Sequence, residues 1–152
     1  MPPVIHDDFD AVEVPLQEIN LIEASAGTGK TYSIAILALR LVLEKNIPIE
    51  KILMVTFTRD AAAEMEIRVR AFIRVALMYA RTGKIEDPTI KKIVDDFSDN
   101  EKAIERLQKA LLSFDKASIF TIHGFCARIL KEFSFECGQR FKAAAMEPDV
   151  LE

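Results

Sequence analysis

The sequence predicts an α/β fold in which a parallel sheet is flanked by helices. Three observations point there. Three short apolar runs have strand length: residues 20–24 (NLIEA), 51–57 (KILMVTF) and 117–122 (ASIFTI). Each is followed by a segment with helical spacing rather than by a two-residue hairpin turn, so successive strands return through crossovers and lie parallel. The second run is almost continuously apolar, as interior strands of parallel sheets are.

The elements follow in order. Residues 1–13 are polar and carry two prolines, and read as a flexible arm. Residues 20–24 form the first strand and residues 24–31 a glycine-rich turn. Residues 31–44 are apolar on nearly all sides, the pattern of a helix buried between a sheet and another layer. That stretch carries Arg40 and is too short to span a membrane. Asn46 and Pro48 end it. After the second strand, Asp60 is placed to cap a helix with Ala61, Ala62 and Ala63 in its first turn. Met65, Val69, Phe72 and Ile73 carry it on to about Ala80. Gly83 and Pro88 mark a loop, and two helical stretches follow over residues 88–97 and 99–113. The third strand leads into a helix over residues 124–133 with Phe125, Ile129 and Leu130 inward. Three strands are few for a complete doubly wound sheet.

Composition bounds the function. The 152 residues suit one domain; half are apolar, and five Gly and six Pro among 29% charged residues exclude disordered and collagen-like chains. The net charge of −4 is unevenly spread. Residues 1–23 hold six acids and no Lys or Arg, whereas residues 51–84 hold seven bases against three acids. That balance argues against a small basic nucleic-acid module and allows a protein that holds nucleic acid on one face. The two cysteines, Cys126 and Cys137, lack metal-site spacing. With no signal-like start and no membrane run, the chain reads as cytoplasmic.

The strongest local signal is Ala24, Ser25, Ala26, Gly27, Thr28, Gly29, Lys30, Thr31, set between a strand and a helix. Gly27 and Gly29 let the turn curl so that successive backbone N–H groups face an anion, and the helix adds its own free amides. Lys30 reaches the outer phosphates of a nucleoside triphosphate, and the Thr31 hydroxyl binds Mg²⁺. Ala24 stands where the usual GxxxxGK[ST] string begins with glycine. These residues predict a P-loop NTPase that binds a nucleoside triphosphate with Mg²⁺. They leave open whether the chain is a kinase, a GTPase or a motor ATPase.

Two further segments lie at strand carboxyl ends, where open α/β sheets bind ligands. In the first, Thr56 and Thr58 offer hydroxyls, Arg59 offers a charge for phosphate, and Phe57 is either a base-stacking aromatic or a core residue. Arg68, Arg70 and Arg74 further along either line a DNA track or solvate the helix. In the second, Thr121 and His123 offer hydrogen bonds, and no acid or nucleophile suited to His123 catalysis is recognisable.

The segments EASAGTGKT (23–31), VTFTRDAAAEM (55–65) and TIHGFC (121–126) together resemble the first motifs of the UvrD/Rep superfamily 1A DNA helicases. Residues 14–31, HGFC (123–126) and FECGQRF (135–141) are most similar to the RecB branch, the helicase–nuclease beta subunits of exodeoxyribonuclease V. The resemblance covers residues 11–141. It implies part of a RecA-like motor domain 1A, with residues 14–150 forming the front of the ATP-binding domain. It implies phosphate-loop roles for residues 24–31, single-stranded DNA contact by Thr56, Phe57, Thr58 and Arg59, and a second DNA-contacting motif at Thr121 and His123. Gln17 is the one candidate for the adenine-reading glutamine of UvrD-type members, at a shorter spacing from Lys30 than usual. The resemblance also implies single- and double-stranded DNA as partners, RecC-like and RecD-like subunits, and no membrane. An AddA or UvrD type remains an alternative, as does a stand-alone P-loop kinase or binding module.

The acidic pair that such motors need after a strand is missing: Asp95 and Asp96 sit in a helical context. No arginine finger or second motor domain is present either, so the sequence reads as the N-terminal part of a longer protein. Leu151 and Glu152 read as a vector-derived junction.

Overall fold

A computed structural model describes residues 9–17, 19–23 and 29–133. Among the described residues, five α-helices and a two-stranded parallel sheet make up an α/β fold. The helices are α1 (Lys30–Leu43), α2 (Arg59–Thr82), α3 (Pro88–Asp95), α4 (Asn100–Leu112) and α5 (Ile122–Glu132); the strands are β1 (Leu53–Thr56) and β2 (Ser118–Thr121).

Local signals set most helix ends. Thr58 caps α2, accepting from the Ala61 amide at 3.1 Å, and Gly83 closes it in the left-handed region at φ 68°. Asp87 accepts from Thr89 and Ile90 to open α3, with Pro88 as its first residue. Asp99 accepts from Lys102 to open α4. The core then forms from one stripe of each helix. Ile36, Leu39 and Leu43 of α1 meet Val69 and Ile73 of α2, Ile90 of α3, Leu107 of α4 and Phe114. Arg106 of α4 donates to the Leu43 carbonyl at 2.6 Å, satisfying the carboxyl end of α1.

β1 and β2 pair in register, Leu53 with Ser118 through Thr56 with Thr121. Chain between them runs through α2, α3 and α4, the crossover that parallel pairing requires. Met54 is buried, while Leu53 and Val55 on the other face are exposed.

Several expectations are corrected. Residues 19–23 form no strand; Leu21 is 83% exposed. A strand needs a neighbouring edge to take up its amides and carbonyls, and neither β1 nor β2 pairs with this segment. The buried side of α1 accordingly faces α2, α3 and α4 rather than a sheet. Thr58 caps α2 in place of Asp60, which lies in the first turn, where its charge still favours the helix dipole. β2 stops at Thr121 because that residue caps α5, which takes Ile122 as its first residue. Phe125 and Ile129 are half-buried, Leu130 is exposed, and α5 buries no residue fully. Part of the N-terminal segment contacts the fold. Ala11 joins the core, its carbonyl and that of Val14 accept from Arg40, and Glu13 pairs with Lys92.

Candidate functional site

The phosphate-loop candidates divide at Gly29. Ala24, Ser25, Ala26, Gly27 and Thr28 lie outside the described residues. Gly29 sits at φ 84°, in the left-handed region that costs glycine nothing, and α1 begins directly after it. Each of α2, α3, α4 and α5 opens on a capping side chain: Thr58, Asp87, Asp99 and Thr121. α1 opens on Gly29 with no side-chain cap and with no acid in its first turn. Its amide end is therefore suited to an external anion. Lys30 is exposed there and Thr31 is half-buried. Gln17 is exposed, and its carbonyl accepts from the Asn20 side chain at 3.2 Å.

The six candidates from the two strand ends come together. Thr56 and Thr121 are partners in the last rung of the sheet, so both following loops leave from its carboxyl edge. Phe57 is 81% exposed there, so it is not buried among the described residues. Arg59 and His123 are exposed in the first turns of α2 and α5. Thr58 and Thr121 accept amide hydrogens from Ala61 and Gly124 at 3.1 and 3.0 Å. Each hydroxyl keeps its own hydrogen to donate outward. Gly124 has a local reason that the sequence reading passed over: a Cβ there would stand 3.1 Å from the Thr121 hydroxyl, crowding the cap. Phe125 braces α5 against β2 through the Phe120 ring, 6.5 Å away, and Arg128 lies over that ring at 5.1 Å.

The helix arginines separate by role. Arg70 lies over the buried Phe114 ring at 4.6 Å, and Arg68 pairs with Glu64 at 2.8 Å, so both are engaged within the fold. Arg74 is exposed. Asp95 is the last residue of α3, where it accepts from Lys91 at 2.6 Å and Tyr79 at 2.5 Å. Those hydrogen bonds, Lys91 first, hold its carboxyl below the usual aspartate range. This is a helix-surface cluster, as its sequence context implied. Cys126 is an exposed thiol on α5, and Cys137 and residues 135–141 lie outside the described residues. Among the described residues no group of His, Cys, Asp and Glu could hold a metal, and no helix is long and apolar enough to cross a membrane.

One long element connects the two ends. Tyr32, in the first turn of α1, meets Phe72 edge-on at 5.2 Å. Phe72 lies thirteen residues along α2 from Arg59, about 20 Å of helix. The amino end of α1 is thus tied to the middle of the helix whose first turn borders Phe57.

The UvrD/REP helicase N-terminal domain matches over residues 6–149. The RecBCD enzyme subunit RecB of Escherichia coli (strain K12) is 36% identical over 155 residues, covering 97% of this chain and 13% of the relative. The RecB subunit of Haemophilus influenzae is 39% identical, covering 88% of this chain and 12% of that protein. That of Mycobacterium tuberculosis (strain H37Rv) is 40% identical, covering 73% and 10%. The chain therefore spans between 10% and 13% of the length of these relatives.

Proposed function

The chain belongs to the UvrD/REP helicase N-terminal domain family, and from that premise we propose that it is the nucleotide-binding front of a RecB-like, ATP-dependent DNA helicase–nuclease. The finer fold reading is a P-loop NTPase, part of a RecA-like motor domain. The proposed work is translocation on single-stranded DNA during double-strand-break processing and recombinational repair in the cytoplasm, alongside RecC-like and RecD-like subunits.

The observation that carries this reading is the carboxyl edge of the parallel pair. Both strand-end segments finish there, with Phe57 exposed between two threonines and Arg59 and His123 beside it. An exposed aromatic among hydroxyl and cationic groups suits a single strand, because a base can stack while phosphates find donors. At the other end, the uncapped start of α1 fits a triphosphate. The amides of the first turn and the Lys30 ammonium would hold the phosphates, and the Thr31 hydroxyl would hold Mg²⁺. Bound Mg–ATP supplies the phosphoryl-transfer chemistry and the metal charge that eases it. Lys30 stabilises charge on the transferred group, and Gln17 reads the adenine edge. Thr56, Phe57, Thr58, Arg59, Thr121 and His123 grip and release the strand, and α2 couples that grip to α1.

The test is DNA-stimulated ATPase in the full-length polypeptide. Lys30→Ala abolishes turnover, because it removes charge aimed at the transferred phosphoryl group, and leaves nucleotide-free DNA binding largely intact. Full turnover in that variant would refute the phosphate-site assignment.

A further inference from the structure

Arg40 is the one buried charged residue among those described, at 6% exposure. Burying a guanidinium is costly unless its donors are matched, and an apolar residue of similar volume would serve the core as well. All the described partners of Arg40 are matched to its fork. Nε and Nη2 meet the two carboxylate oxygens of Glu44, at 2.6 and 3.2 Å. Nη1 donates to the carbonyls of Ala11 and Val14, at 2.9 and 2.8 Å. Those carbonyls belong to a tight turn that is also tied locally. The Asp10 side chain accepts from the Val12 amide at 2.8 Å, and the Asp10 carbonyl accepts from Glu13 and Val14. Asn20 gathers the next stretch by donating to the carbonyls of Pro15 and Gln17. Residues 9–20 therefore include a strap, fastened from inside by a side chain ten residues beyond Lys30 on the same helix.

The strap has a second face. Phe9, Asp10, Ala11 and Val12 wall an open cleft of about 500 Å³. Tyr32 and Ser33, the two residues after Thr31, are also in its lining, and Lys92 of α3 stands opposite. The cleft therefore adjoins the first turn of α1, directly after Thr31, and Gln17 lies three residues beyond the Val14 carbonyl that Arg40 holds. We propose that Arg40 is a positioning residue for nucleotide selection. By clamping the Ala11 and Val14 carbonyls to α1, it fixes the strap against the helix that carries the phosphate contacts, and so sets base preference without touching the nucleotide. This rests on the proposed phosphate-site function and on Gln17 as the base-reading residue.

The experiment measures steady-state turnover of ATP and of GTP by the full-length polypeptide, with Arg40→Met, Arg40→Lys, Gln17→Ala and Lys30→Ala. Arg40→Met raises KM for ATP by about two- to tenfold, the worth of one neutral hydrogen bond between Gln17 and the base. It changes kcat by no more than roughly twofold, the signature of lost binding rather than lost chemistry. It also lowers the ATP-over-GTP ratio of kcat/KM, as Gln17→Ala does. Arg40→Lys keeps the charge but not the fork and gives an intermediate ratio; it carries the test if Arg40→Met does not fold. A purely structural role would lower the folded fraction and leave the ratio unchanged. An unchanged ratio in the Arg40 variants, with a lowered one in Gln17→Ala, would overturn the proposal. An unchanged ratio in Gln17→Ala would overturn the base-reading assignment and the proposal with it. Retained turnover in Lys30→Ala would instead overturn the phosphate site itself.

Discussion

Phe57→Ala separates the functional reading of this residue from a structural one. A buried phenylalanine truncated to alanine costs about 3–5 kcal/mol in transfer and cavity terms. Phe57 is 81% exposed, so little apolar area returns to water and no cavity opens. The expected stability change is within about 0.5 kcal/mol, as for surface positions away from caps and networks. In a chain of this size that shifts Tm by under about 2 °C. On the DNA side, loss of one stacked base costs about 1–3 kcal/mol. That weakens single-stranded DNA binding about 5- to 150-fold. The assay pairs thermal unfolding of this chain with fluorescence anisotropy on a labelled oligonucleotide, across a salt series in the full-length polypeptide. Affinity falls at every salt concentration while the salt slope is kept, because no phosphate contact is removed. A stability loss of several kcal/mol with unchanged DNA affinity would return Phe57 to the core and refute the stacking argument.

Other substitutions probe the surroundings. Thr121→Val removes the side-chain acceptor of α5; it costs about 1 kcal/mol, and hydrogen exchange at Gly124 speeds up because its amide loses its partner. Arg70→Ala removes the cation over the Phe114 ring and costs about 0.5–1 kcal/mol by thermal unfolding, while single-stranded DNA affinity stays unchanged because Arg70 is engaged within the fold. Acid lowers stability through Asp95 and Asp99. Hydrogen bonds from Lys91 and from Lys102, respectively, hold their carboxyls below the ordinary aspartate value of 3.8. Their contribution is present above that value and is lost as pH falls through the lowered folded-state values. Asp95→Asn with Asp99→Asn therefore gives a shallower fall in Tm between ~pH 5 and ~pH 3, and an unchanged profile would show that neither pair contributes.

The parts of the fold legible in the sequence are those whose causes are local. Asp87 with Pro88, Asp99 and Gly83 announce α3, α4 and the end of α2 because cap chemistry acts over three or four residues. The apolar spacing of Met65, Val69 and Ile73 gives α2 its buried stripe for the same reason. Residues 20–24 were legible only as an apolar run, and whether such a run becomes a strand depends on an edge supplied elsewhere. The strap was hidden for a related reason. Arg40 stood out as a charge in a greasy helix, but its partners are main-chain carbonyls at Ala11 and Val14, and a carbonyl leaves no mark on the sequence. At the candidate site, spacing shows that Thr56 and Thr121 end strands. It does not show that they share one rung, nor that Phe57 faces water rather than the core. Register and burial are tertiary facts.

The distribution of packing bears on how such a site would work. Folding stability resides in α1, α2, α3 and α4, where Ile36, Leu39, Val69, Ile73 and Leu107 are fully buried. Phe57, Thr58, Arg59 and His123 are exposed, and α5 buries no residue fully. The two strand-end turns are held by single threonine caps, each worth about 1 kcal/mol, rather than by the core. Segments so lightly held open and close at small cost, the property required of groups that grip and release a strand in each cycle. α2 is the exception that joins the regimes. Its first turn carries the Thr58 cap beside Phe57, its middle lies in the core, and Phe72 meets the first turn of α1. A helix so anchored moves as a unit. On the proposed reading, a displacement of α1 at the phosphates therefore reaches the DNA-facing turn through α2, while the caps give way and the core does not.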